Sequence, residues 1–113
     1  MLERGAIYFV EVPGDPHRRP VPFVVVSTDF RNRYGRDVLT IPLSTSPKKY
    51  ETHLELSAGE TGLREHSIAK CENIGVLPMG LFQGKQPASP RRLSETRIQQ
   101  MAERVCVAMG VRR

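Results

Sequence analysis

A small, strongly curved antiparallel sheet or barrel, closed by one C-terminal amphipathic helix, is the fold this sequence predicts. Two observations carry it. Short apolar runs rich in β-branched residues recur between turn-forming stretches over residues 6–76, the pattern of strands rather than helices. Beyond residue 90 the period changes, and Ile98, Met101, Ala102, Val105 and Met109 fall on one helical face. The 113 residues are enough for one domain, 1–113, around a single core. Aromatic residues make up 6% and tryptophan is absent, so that core is built from Val, Ile, Leu and Met.

Residues 6–12, AIYFVEV, read as the first strand after the turn-like Arg4-Gly5. A second strand reads over 23–28, and its residues 23–26 are apolar and β-branched, as in a strand covered on both faces. Residues 29–36 are polar and allow one helical turn, and residues 37–44, DVLTIPLS, resume as a strand. Pro42 cannot donate to a ladder, which predicts an edge position or a bulge there. Residues 52–56 alternate, with Leu54 and Leu56 on one face, and a Gly-containing loop leads to the longest strand candidate, 67–76. Residues 77–90 are irregular, with room for one short strand around 81–83. In the closing helix Ser94 is the N-cap, Glu95 the first-turn acid, Leu93 and Ile98 the hydrophobic staple, and Gly110 the C-terminal stop.

The formal net charge of +5 suits a polyanion such as nucleic acid, and suits an ordinary basic domain equally well. Cys71, expected in a strand, and Cys106, expected on the helix, form no CxxC pair, so neither a disulfide framework nor a zinc site is indicated. His53 and His66 stand apart from other strong ligands; no metal site is expected, and His53 reads as structural or solvated. The N-terminal apolar run is too short and too alternating for a signal peptide, and no run approaches membrane-spanning length. The expectation is a cytoplasmic protein without a membrane partner.

Three groupings bear chemistry. Residues 13–22 set His17, Arg18 and Arg19 among four prolines, which stiffen the loop. Arginine matches phosphate in bidentate geometry and histidine exchanges a proton near neutrality, although a merely solvated loop would look the same. In SIAKCENI, residues 67–74, strand periodicity puts Lys70 and Glu72 on one face, roughly 6.6 Å apart. Such a pair either serves a phosphodiester, with the carboxylate as base, or forms an exposed ion pair worth little. Ser44, Thr45 and Ser46 precede Lys48 and Lys49; hydroxyls at a strand end bind a phosphate oxygen or satisfy the turn. No GxSxG elbow surrounds Ser44, which argues against a serine hydrolase.

In order along nearly the whole chain, these segments resemble the MazF/PemK toxins of type II toxin–antitoxin modules. Arg4-Gly5-Ala6-Ile7-Tyr8 looks like the family's RGDIY or RGEIW opening. The loop ending in Arg19-Pro20, followed by FVVVST, is similar to RPxxVVS, and Thr40-Ile41-Pro42-Leu43-Ser44-Thr45 to VVPVTS. Lys70-Cys71-Glu72-Asn73-Ile74 resembles CDQI or LEQI, and the helix over 93–110 has the family's closing pattern.

The resemblance implies an SH3-like barrel that dimerises, a cytoplasmic antitoxin partner with an acidic disordered tail, and operator DNA reached only through that antitoxin. It implies sequence-selective, metal- and cofactor-independent cleavage of single-stranded RNA. The 2′-OH attacks the adjacent phosphorus, leaving a 2′,3′-cyclic phosphate and a 5′-OH. Carried over by position, Arg19 acts on the phosphate, Ser44 assists it, Lys70 and Glu72 serve as acid and base, and His17 helps. Arg18, Thr45, Lys48, Lys49 and Asn73 are the expected RNA contacts. The Arg-Pro pair stands two residues earlier than the family pattern places it, so either the loop end is longer or the arginine is displaced. Two alternatives remain open from sequence: a CcdB-like gyrase-inhibiting toxin acting through residues 110–113, or a member of the fold that binds RNA without cutting it.

Overall fold

The computed structural model describes residues 1–17 and 19–111. Its strands are β1 (Ile7–Val10), β2 (Val21–Val25), β3 (Asp37–Ser44), β4 (His53–Leu56), β5 (Ser67–Lys70) and β6 (Gly75–Pro78). They form one antiparallel sheet in the order β1-β2-β3-β5-β4, with β6 also paired to β3. Helices α1 (Asp29–Tyr34), α2 (Ala58–Thr61) and α3 (Glu95–Ala108) complete the fold. This is the mainly-β, barrel-like architecture with helical closure that the sequence predicts. The ladder stops short of a closed barrel, because irregular chain covers the outer edge of β1. Ala6 bridges to Arg92, and the Gln86 side chain exchanges two hydrogen bonds with the Phe9 backbone, at 2.8 and 2.7 Å.

Strand alternation divides the apolar residues between the two faces of the sheet, where a single core was expected. Ile7, Val24 and Ile41 stand in register on one face and are buried with Leu93, Ile98 and Met101. Tyr8, Phe23, Val25 and Val38 fill the other face with Phe82, whose ring meets Tyr8 edge-on at 6.0 Å.

Pro42 lies within the central strand β3, neither at an edge nor in a bulge. The Val26 N–H bonds the Leu39 carbonyl at 2.9 Å, so alternation makes Phe23–Pro42 a non-hydrogen-bonded pair. The missing N–H of Pro42 therefore faces the other side of β3. There the partner changes from β6, opposite residues 37–40, to β5, opposite Leu43 and Ser44, and Pro42 stands between the two registers.

The strand expected over 67–76 is interrupted. Cys71–Asn73 form a 3₁₀ turn between β5 and β6, so Cys71 opens a turn instead of lying in a strand. With Ile68 opposite Ser44, a continuous ladder would bring Gly75 opposite Asp37; Pro78 stands there, a slip equal to the three residues of the turn. Lys70 and Glu72 consequently do not share a strand face. Burial pushes the Cys71 thiol up to about 12 against the opposing pull of Arg104, so it remains protonated. The short strand expected around 81–83 is likewise replaced by a 3₁₀ turn, Met79–Phe82.

The closing helix follows its sequence signals. The Ser94 hydroxyl accepts from the Arg97 N–H at 3.3 Å, and Leu93 and Ile98 are buried in one cluster. At the other end Gly110 adopts φ 84°, the Gly110 N–H bonds the Val107 carbonyl and the Val111 N–H bonds that of Cys106, the paired bonds of a Schellman stop. Cys106 lies on α3 as expected. Glu60, at the end of a capping box begun by Ser57, ties α2 to α3 through Arg97, with the closest contact 2.6 Å.

The Arg97 guanidinium, helped by the Ser57 backbone N–H, lowers the Glu60 carboxyl from 4.5 to about 2. A depressed carboxyl stabilises above its unfolded pKa and loses that contribution as pH falls through the folded value. Glu60→Gln is expected to lower stability at pH 7 by about 1–2 kcal/mol after solvent screening. In urea titrations this deficit should persist down to pH 4.5 and fade toward pH 2.

Candidate active site

The ends of β3 and β5 and the loop before β2 converge on a groove of about 630 Å³. Arg19 and Pro20 enter from that loop, Ser44 and Thr45 from the end of β3, Lys70 from the end of β5, and Asn73 from the 3₁₀ turn. The pairing explains the meeting. Leu43 faces Ala69 and Ser44 faces Ile68, so β5 delivers Lys70 toward Pro42, which faces Phe23 near the start of β2. Arg19, Ser44, Thr45, Lys70 and Asn73, far apart in sequence, thus line one wall system.

The Ser44 hydroxyl is held at this wall. It accepts from the Ser46 N–H at 3.2 Å and shares a 2.7 Å hydrogen bond with the Ser46 hydroxyl. The cations Arg19 and Lys70 make no side-chain hydrogen bond or ion pair among the described residues, which leaves their charge for a bound anion. Sequence reasoning missed four further polar lining residues: Asp15, Arg64, Glu65 and Ser67. The Arg64-Glu65-His66 triplet just before a strand was the available signal, a charged loop like the His17 loop before β2. Asp15 Oδ1 accepts the His17 N–H at 2.9 Å, which fixes the carboxylate within its own loop.

Other expected residues stand elsewhere. His17 is exposed and is not part of the groove wall. Lys48 lines a neighbouring groove of about 720 Å³ that shares Thr45 and Glu65 with the first. Lys49 is exposed, and Arg18 lies outside the described residues, as do Arg112 and Arg113 at the C-terminus.

Glu72 is turned away from the groove by the 3₁₀ turn. Its Oε1 accepts from the Thr52 hydroxyl at 3.0 Å and its Oε2 pairs with His53 Nε2 at 2.9 Å. His53 Nδ1 accepts the Lys49 N–H at 3.2 Å, so the proton of a neutral ring sits on Nε2 and is donated to Glu72. Burial alone would raise the Glu72 carboxyl, but bonds from His53, its own backbone and Thr52 outweigh that and lower it. His53 is therefore structural, a buried link between the 45–52 loop and the turn. Arg104 of α3 donates to the His53 carbonyl at 3.3 Å and secures the same link from the helix side.

Among the described residues no three His, Cys, Asp or Glu side chains gather as a metal site would require, and no helix is long and apolar enough to cross a membrane.

Solved structures share this fold. An endoribonuclease from a mycobacterial species, in complex with its cognate antitoxin, superposes with TM-score 0.76 at 19% identity, covering 97% of this chain and 96% of the other. The Mycobacterium tuberculosis toxin MazF-mt6 gives 0.76 at 18% identity, over 94% and 97%. A MazE-MazF structure from Deinococcus radiodurans gives 0.78 at 13% identity, over 97% of both chains. Comparison with curated proteins gives no match. The sequence model of the PemK-like, MazF-like toxins of type II toxin-antitoxin systems matches residues 3–109, and the chain belongs to that family.

Proposed function

We propose that this toxin is a metal-independent endoribonuclease that cuts single-stranded RNA at short motifs in the cytoplasm and is held in check by an antitoxin. The observation that carries this reading is the convergence of unpaired Arg19, Arg64 and Lys70 with the Ser44 hydroxyl in one groove. The description of the mycobacterial fold neighbour as an endoribonuclease bound to its cognate antitoxin supports it. The Arg19 guanidinium neutralises the phosphoryl oxygens as charge develops, and the Ser44 hydroxyl donates to one of them. Attack of the 2′-oxygen on phosphorus breaks the bond to the 5′-oxygen. The Lys70 ammonium protonates that leaving oxygen, and the 2′-proton passes to a carboxylate. Asp15 suits this last role, because it lines the groove and is fixed on the Arg19 loop. Glu72 acts instead as a positioning residue, holding the 45–52 loop through Thr52 and His53.

Incubation with long single-stranded RNA in excess EDTA should give discrete cuts with 5′-OH and cyclic phosphate ends. Intact RNA from folded, antitoxin-free protein would overturn the reading and favour a non-cutting RNA binder. Arg19→Ala and Lys70→Ala are each expected to slow cleavage by about 10²–10⁴-fold with unchanged circular dichroism. Glu72→Gln separates its two possible roles. A positioning residue keeps its rate within about tenfold, whereas loss of a general base costs about 10²-fold or more.

We also propose that the toxin is a homodimer joined through the apolar face that α3 shares with β3 and that Val76 of β6 extends. Val26, Leu39, Ile74 and Val105 are only partly covered there and line a groove of about 200 Å³. Val76, opposite Leu39 in register, is 51% exposed. A monomer rarely leaves such a continuous apolar face in water. Light scattering should report a dimer for the natural chain and a monomer for Val76→Lys; a monomeric natural chain would refute the interface.

A further inference from the structure

The two grooves on either side of Thr45 and Glu65 form one path. Arg19, Arg64 and Lys70 lie on one side of this shared ridge, and Lys48 lies on the other. Cations spaced across a ridge suit a polymer with repeating phosphates better than a single nucleotide. Each groove, at about 630 and 720 Å³, is also as large as a complete small-ligand site.

Glu65 is the exposed carboxylate at which the two grooves meet. Asp15 is bonded within its own loop, and Glu55 pairs with His66 at 3.3 Å. The Glu65 carboxylate has no hydrogen-bond or ion-pair partner among the described residues, although Arg64 is its neighbour and two grooves meet at it. A phosphate is repelled by such a group. An ionised carboxylate only accepts hydrogen bonds, so its complement on RNA is a base edge presenting donors. Guanine is the one base with two adjacent donors, N1–H and N2–H₂, on its Watson–Crick edge. Cytosine and adenine set an acceptor beside their single amino group, and uracil flanks its one N–H with carbonyls.

We propose that the bound RNA strand crosses from the Arg19 groove into the Lys48 groove over this ridge, and that Glu65 selects a guanine there by accepting both of its edge donors. The proposal rests on the RNA-cleaving reading for its substrate class and goes beyond it in naming a base and the residue that reads it. The loop carrying Glu65 is anchored just before it. Gly62, at φ 72°, ends α2 in the left-handed region, and Leu63 packs against the core.

The test is affinity selection by the full chain from a randomised single-stranded pool of 2′-fluoro RNA, which lacks the attacking hydroxyl and cannot be cut. The natural protein should enrich guanine at one fixed position by about tenfold or more. Glu65→Ala should erase that enrichment, and Glu65→Gln, whose amide pairs with adenine in bidentate fashion, should move it to adenine. No guanine preference in the natural protein, or the same preference in Glu65→Ala, would overturn the proposal. Selection of guanine through Glu65, combined with failure to cleave unmodified RNA, would refute the cleavage reading alone.

Discussion

β3 gives one of its edges to two strands in succession, and the three-residue slip between them organises the molecule. Hydrogen bonding along β3 would favour a single continuous partner from Ser67 onward. The turn at Cys71–Asn73 breaks that continuity and resets the register. β5 is thereby free to reach the end of β3 and bring Lys70 beside Ser44, while β6 covers the beginning of β3. The turn also determines which way its residues face: Cys71 into the core, Asn73 into the groove, and Glu72 toward Thr52 and His53.

Polar order around the site has the same origin. The buried His53 ring accepts from the backbone of one loop and donates to a carboxylate of the turn, so it is satisfied only in its neutral Nε2–H form. Buried polar groups left without partners are costly, and none of the described buried side-chain N or O atoms lacks one. The ordered charges thus sit behind the groove, whereas the cations facing it are left unpaired. That division separates the scaffold from the surface available to a ligand.

Much of this was legible in the sequence where a signal is local. Ser94, Leu93, Ile98 and Gly110 mark the ends of α3 because capping depends only on neighbouring residues. Pro42 misled because its meaning depends on which side of β3 its nitrogen faces, a property of the register. The stretch 67–76 misled because it contains no proline and its interruption is a single three-residue turn, Cys71–Asn73, set by the change of partner along β3. The same error placed Glu72 beside Lys70. The grouping of Arg19, Ser44, Thr45, Lys70 and Asn73 came through resemblance. Arg64 and Glu65 were overlooked because a charged loop declares its role only once the strands place it against another wall.

The Gln86 amide has a wider effect on how this molecule meets others. By exchanging both bonds with Phe9, it does what a neighbouring strand would do along the outer edge of β1. An incoming chain seeking to extend the sheet there must displace an intramolecular partner already tethered nearby. Growth of the sheet is thereby closed in that direction, and association by strand addition is diverted to the β4 and β6 margins. Together with the Ala6–Arg92 bridge, this side chain gives the sheet a polarity for assembly that its strand order does not have.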